Sequence, residues 1–284
     1  MKAIGRSFAA ALLLLLGTGV TAAEAAEATP WTGLPETEAR LLAASSAVGT
    51  DARLTLGIEI RLAEGWKTYW RSPGDAGSPP RLDWGGSRNL ASARMLWPAP
   101  KRFTAFDIDT FGYGDEVIFP ILLTPETPGR ALTVKLRVDY QVCKHICIPV
   151  TAELALELPA GPARETAHTA AIQRFRQAVP KPGGEGPIAI ETVRLTGQPG
   201  AQTLEVTARS EAPLAGPDLI VEAPYPFYFD RPEVHLSADR RRAVLRLAVG
   251  GGKDAKSLAG TDLTLTLIDA TGAGETRVVA GADD

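Results

Sequence analysis

The stretch LTVKLRVDYQVCKHICIPVTAELALEL, residues 132–158, decides the fold. Leu132, Val134, Leu136, Val138, Tyr140 and Val142 share one phase of a period-two pattern, with Thr133, Lys135, Arg137, Asp139 and Gln141 in the other. After a short break the even phase resumes at Ala152, Leu154, Leu156 and Leu158, against Thr151, Glu153 and Glu157. Successive side chains of a strand point to opposite faces, so this is the pattern of two half-buried strands. Joined by so few residues they form a β-hairpin, and the two cysteines of the chain, Cys143 and Cys147, fall at its tip.

The same alternation recurs on both sides. In ARLTLGIEIRL (52–62), Leu54, Leu56, Ile58, Ile60 and Leu62 alternate with Thr55, Gly57, Glu59 and Arg61. Between Gly65 and Gly114 the pattern lapses into Pro-, Gly- and aromatic-rich sequence, which reads as loops that cover a sheet end or build a site. From Pro162 to Val179 the period changes: Ile172, Phe175 and Val179 predict a short amphipathic helix, and PKPGGEGP (180–187) a linker. Beyond it PIAIETVRL, QTLEVTAR, PDLIVEA, AVLRLAV and DLTLTLID form a second series of short strands without a cysteine. The expected architecture is all-β: two immunoglobulin-like β-sandwich domains, at 27–160 and 188–284, joined by a helix and linker at 161–187.

The N-terminus, MKAIGRSFAAALLLLLGTGVTAAEAA, has Lys2 and Arg6 before a short apolar run from Phe8 to Leu16, then small residues. That is the layout of a secretory signal peptide over 1–26, and the run is too short to span a membrane. The expected location is a bacterial periplasm, where disulfides persist. No later segment has the length of apolar sequence a transmembrane helix needs, so no membrane span is expected in the mature chain. The formal net charge is −3 with no basic stripe, which argues against a nucleic-acid partner. Twenty-two prolines and 28 glycines suit a turn-rich β-protein. No nucleophile elbow, Walker loop or dinucleotide fingerprint points to an unrelated enzyme, and no cofactor is expected.

Cys143 and Cys147 admit three readings. In extended chain their Cα atoms would lie roughly 13 Å apart, and a disulfide needs them within about 7 Å, so residues 143–147 must turn. As a structural staple a bond closing so short a loop removes little unfolded-state entropy. As a metal clip, Cys-x-His-x-Cys offers three ligands for Cu(I) or Zn(II). A closed zinc site needs a fourth, and His168 and His235 lie far along the chain. No metal is therefore expected, and His145 reads most simply as an exposed loop residue. As a redox pair, an accessible short-loop disulfide is open to an attacking thiolate, and Lys144 and His145 beside it favour the thiolate form. The redox reading accounts best for both the spacing and the exposure. Trp66, Tyr69, Trp70, Trp84 and Trp97 read as packing aromatics, and Asp75, Asp107, Asp109, Asp115 and Glu116 as solvated loop acids.

GWKTYWRSPGDAGSPPRLDW (65–84), WPAPKRF (97–103), FGYGDEVIFP (111–120) and VDYQVCKHICIP (138–149), in this order, resemble the N-terminal periplasmic region of the DsbD family of disulfide reductases. The match is closest to the ScsB-like branch, linked to copper-stress tolerance, and runs from about Ala39 to Pro159. The resemblance implies an immunoglobulin-like domain whose cysteine pair passes electrons to or from thioredoxin-fold periplasmic proteins. It makes Cys147 the nucleophile and Cys143 the resolving thiol. It also implies an aromatic cap over the pair, for which Phe111 is the first candidate and Tyr113 the second. The cysteine spacing is shorter than in DsbD itself, and no thioredoxin domain or membrane helices are read. A separate DsbD/ScsB-like membrane electron donor is then expected. The rival class is a non-catalytic periplasmic module that docks a partner or holds Cu(I), its cysteines structural or ligating.

Overall fold

A computed structural model describes residues 26–106, 108–251 and 257–281. The leader read at 1–26 lies outside the described residues apart from Ala26, as does Asp107.

The first domain is built from β1 (Thr32–Leu34), β2 (Thr37–Ala43), β3 (Leu54–Leu62), β4 (Lys67–Gly74), β5 (Arg81–Asp83) and β6 (Leu90–Met95). It continues with β7 (Lys101–Ala105), β8 (Ile108–Gly114), β9 (Glu116–Pro125), β10 (Leu132–Cys143) and β11 (Cys147–Leu158). One sheet runs β1-β2-β3-β9-β6; the other runs β11-β10-β4-β8-β7, with β5 also paired to β10. The alternation that predicts the hairpin is realised in full: Leu132 faces Leu158, and the register holds without a slip to Cys143 opposite Cys147. The even positions of β10, and those of β11 from Val150 on, are buried and meet Leu56, Ile58, Phe119 and Ile121 of the opposing sheet in one core. This is a β-sandwich, as the pattern implies.

Two segments differ from expectation. Residues 65–114 hold five strands, not mostly loop. Their period is hidden because β4 sits inside its sheet, between β10 and β8, and buries Thr68, Tyr69 and Trp70 in succession. A strand buried on both faces carries no polar phase to alternate with. The segment 161–187 is also not a free connection. Helix α1 (Thr169–Gln177) packs Ile172, which is fully buried, against Leu42 and Ile118. Gly57 of β3 makes room for it, since a Cβ there would lie 2.7 Å from Ile118 Cγ2 and 3.0 Å from Ile172 Cγ1. Beyond the helix, β12 (Lys181–Pro182) already pairs with the second domain.

That domain continues with β13 (Ile188–Thr196), β14 (Gln202–Ser210), β15 (Asp218–Glu222), β16 (Tyr228–Phe229), β17 (Glu233–Leu236), β18 (Arg242–Gly250), β19 (Asp262–Asp269) and β20 (Gly272–Val279). Its sheets run β12-β20-β19-β15 and β13-β14-β18-β16, with β17 also on β18. Leu204, Val206, Leu245, Leu247, Leu265 and Leu267 fill the space between them. At its turn 269–271 the Asp269 carboxylate accepts backbone N–H bonds from Ala215, Gly216 and Thr271. Burial alone would push this carboxyl up, but those donors hold it below the usual carboxylate range. Its contribution is full above an unfolded pKa of about 3.9 and is lost as pH falls through the lower folded value. Acid titration of an Asp269→Asn variant should therefore show a shallower loss of stability below about pH 4 than the parent, followed by circular dichroism. An unchanged acid limb contradicts that assignment.

The domains touch through two arginines of the first. Arg71, on β4, donates to Glu222 through both Nε and Nη2 (2.6 Å from Nη2 to Oε2) and to Glu275 through Nη2. Arg102, on β7, donates Nε to Asp218 Oδ2 at 2.9 Å and Nη2 to Asp218 Oδ1 at 2.8 Å.

Candidate functional site

Cys143 closes β10 and Cys147 opens β11, so three residues, Lys144 to Ile146, turn the chain. The Lys144 N–H donates to the Ile146 carbonyl at 3.1 Å. The two cysteines are cross-strand partners with Cα atoms 4.1 Å apart, joined by a disulfide. That is close to the narrow, non-hydrogen-bonded spacing of an antiparallel ladder, about 4.5 Å, at which facing side chains approach most closely. Pro149 lies two residues on, opposite Gln141, in the same phase. Its missing N–H therefore falls on the free side of β11, an edge strand, and costs the hairpin no bond.

The pair is asymmetric. Cys143 is 3% exposed, hemmed by β4 and β11, whereas Cys147 is exposed at the tip beside Ile146, which is 65% exposed. Of the two, Cys147 is the residue that solvent reaches, and Cys143 is enclosed. On its other side Cys143 is in register with Lys67 of β4. Burial lowers the Lys67 pKa, and its ammonium donates to Thr110 Oγ1 at 2.6 Å and lies 5.3 Å from the centre of the Phe103 ring.

The aromatic hydroxyl against the pair belongs to Tyr69, whose Oη lies 3.8 Å from Cys147 Sγ. Tyr69 is 1% exposed, and burial raises its pKa. Its ring is covered by the loop after β4. Gly77, at φ +95°, lies so close that a Cβ would fall 2.2 Å from the Tyr69 ring. Only glycine fits there, both for the left-handed backbone and for the contact.

The structure brings some of the sequence-picked residues to the pair and not others. Tyr113, the second cap candidate, is placed in the core: 6% exposed, edge-on to Phe119, its hydroxyl donating to the Pro98 carbonyl at 2.7 Å. It faces inward because it shares the phase of Thr68 and Val142. A Tyr113→Phe variant should accordingly lose about 1–3 kcal/mol, the cost of leaving a buried carbonyl unpaired, in urea unfolding. No loss of stability would mean that the hydroxyl is not serving the core. Phe111 lies under the Arg102 guanidinium, 4.8 Å from it, and against Gly74. Lys144 turns back to donate Nζ to the Glu64 carbonyl at 3.0 Å. His145 is exposed on the turn. Asp109, read as a solvated acid, instead pairs with Arg102 at 2.6 Å and accepts from Thr104. Tyr69 and Lys67 are the neighbours that sequence reasoning missed; the aromatic run on an interior strand was the available signal. Among the described residues no group of three or more His, Cys, Asp or Glu side chains is arranged to hold a metal ion, and no helix is long and apolar enough to cross a membrane.

Residues 37–159 match the family described as "Thiol:disulfide interchange protein DsbD, N-terminal", and residues 178–283 match a domain of unknown function (DUF8393). Among solved structures, the N-terminal periplasmic domain of ScsB from Proteus mirabilis superposes with a TM-score of 0.69 at 24% identity. The superposition covers 90% of this chain and 98% of that one, so the two-domain fold is shared. No curated protein matches.

Proposed function

Residues 37–159 form a DsbD-type N-terminal domain, and from that premise we propose that the protein is a periplasmic thiol–disulfide exchange protein working through Cys143 and Cys147. The observation that carries the reading is the asymmetric pair at a hairpin tip: one sulfur's residue exposed, the other buried, with no other cysteine in the chain. In the oxidised protein, a donor thiolate attacks Cys147 Sγ. The Cys143–Cys147 bond breaks, and Cys143 leaves as a thiolate that takes up a proton. The donor's second thiol then attacks its own sulfur in the mixed disulfide, loses its proton and frees the Cys147 thiolate. Two electrons and one proton have passed from donor to pair, and Cys147 is left as the thiolate. Delivery runs in reverse: the Cys147 thiolate attacks a partner disulfide, and Cys143 displaces the reduced partner as the internal disulfide re-forms.

The partners in this reading are thioredoxin-fold periplasmic proteins, with a DsbD/ScsB-like membrane protein as electron donor and copper stress or disulfide repair as the setting. Lys144 supplies positive charge beside Cys143 in the chain, and Lys67 lies in register with Cys143 on β4; positive charge near a thiol favours thiolate. Tyr69 covers one side of Cys147 and restricts the approach of bulk thiols. As a staple the disulfide contributes at most about 2 kcal/mol, by the loop-entropy relation for a loop this short. Reduction therefore leaves the fold standing, as a carrier requires.

Oxidised protein mixed with a reduced thioredoxin-fold protein, quenched and alkylated, should gain two alkyl groups, read by mass. Failure to gain any, with several thioredoxin-fold donors, would sink the proposal. Uptake of one equivalent of Cu(I) that is lost on Cys→Ser substitution, without exchange, would favour the binding-module alternative.

A further inference from the structure

The second domain has no cysteine, yet a continuous line of contacts runs from it to Cys147. Asp218, on β15, receives both arms of the Arg102 fork, and Arg102 Nη2 also donates to the Leu219 carbonyl at 3.2 Å. The Arg102 side chain is only 7% exposed. Its third contact, Nη1 to Asp109 Oδ2, ties it to β8, and its guanidinium lies over the Phe111 ring. Phe111 in turn lies against Gly74, where a Cβ would come within 3.2 Å of the ring and 2.5 Å of the Asp109 carbonyl. Gly74 begins the covering loop. Asp75 binds back to β8 twice, N–H to the Asp109 carbonyl at 3.0 Å and carboxylate from the Asp109 N–H at 2.9 Å. Two residues later Gly77 presses on Tyr69, whose hydroxyl meets Cys147 Sγ.

We propose that the second domain acts as a positioning clamp for the redox pair. Asp218, through Arg102 and Phe111, fixes the loop from Gly74 to Pro79 and so holds Tyr69 against Cys147. Bidentate arginine–carboxylate pairs with little exposure hold geometry far better than single surface bridges do. Coupling of this kind travels through packed side chains and hydrogen bonds, each of which is present here. Arg71 braces the same strand: it directly follows Trp70, stacks on it at 4.3 Å and reaches Glu222 and Glu275. Asp218 and Arg102 touch no sulfur and are positioning residues. The clamp presupposes the exchange reading for its purpose, but its physical content is the accessibility of one disulfide.

The test is the rate at which dithiothreitol reduces the Cys143–Cys147 disulfide in the full chain, quenched by alkylation and read by mass. One dithiothreitol supplies both electrons and both protons and cyclises, so no other reductant enters. Asp218→Ala should speed reduction by about three- to thirtyfold, the range expected of couplings between contacting residues. Tyr69→Ala should speed it at least as much. The double variant should be no faster than Tyr69→Ala alone, because both act through the same cover. Arg102→Lys, which keeps the charge but loses the fork, should follow Asp218→Ala and serves if that variant folds poorly. Glu205→Ala, which breaks a pair with Arg246 within the second domain, should leave the rate unchanged. A rate within twofold of the parent for both Asp218→Ala and Arg102→Lys overturns the clamp. So does a double variant whose accelerations multiply. Neither outcome bears on exchange with a thioredoxin-fold protein, which is read separately by alkyl gain.

Discussion

A Cys143→Ala variant, reduced and mixed with a thioredoxin-fold protein that keeps only its outer cysteine, activated as a mixed disulfide with a small thiol, is expected to accumulate a protein–protein mixed disulfide through Cys147. Cys147→Ala under the same conditions should accumulate none. The asymmetry follows from burial: Cys143 is 3% exposed between two strands, and Cys147 stands at the exposed tip. Without Cys143, and with no second thiol on the partner, nothing nearby resolves the adduct, so it persists until an external thiol removes it. Either substitution should abolish turnover altogether. Non-reducing gel electrophoresis with mass identification of the linked residue decides the matter. Equal trapping by both variants would mean that the inner sulfur is as reachable as the outer, contrary to the geometry.

The second large effect is on stability. Trp70→Ala should cost about 3–5 kcal/mol in urea unfolding, the range for deleting a large buried aromatic. Trp70 is fully buried in the first domain's core and lies on β4 between Tyr69 and Arg71. Its indole Nε1 has no hydrogen-bond partner, so Trp70→Phe, which removes the unpaired donor and keeps most of the ring, should cost less than half as much. Because β4 carries both Tyr69 and the interdomain Arg71, the alanine variant should also speed small-thiol reduction of the pair. A loss below about 1 kcal/mol would place Trp70 outside the cooperative core.

The hairpin was legible because it is half-exposed: β10 and β11 each present one polar face, so burial prints a period of two on the sequence. β3 was legible for the same reason. β4 was not, because Tyr69 and Trp70 are adjacent and both are buried. With β4 unrecognised, neither the contact of Tyr69 with Cys147 nor the register of Lys67 with Cys143 had a frame to rest on. The choice of Phe111 and Tyr113 came from family likeness; the two share a phase of β8 but meet different neighbours. Tyr113 turns into the core, while Phe111 meets Arg102 beside the second domain. The interdomain pairs join residues 116 positions apart at Arg102–Asp218 and 151 apart at Arg71–Glu222. No local pattern announces such a pairing, and single charges in loops read as solvated. Asp109 shows the consequence. Burial alone would raise its pKa, but bonds from Thr104 and Arg102, with the charges of Arg102 and Arg231, hold it below the usual carboxylate range. It therefore stays ionised, and its side of the clamp stays closed, until pH falls through that lowered value.

Redox titration of the intact chain against dithiol buffers, with the Cys143–Cys147 state counted by alkylation and mass, tests the exchange reading most directly. The account predicts a reversible two-electron transition with a midpoint more positive than about −300 mV, within reach of thioredoxin-fold partners. A pair that remains oxidised at potentials more negative than that would be a structural disulfide, and would contradict it.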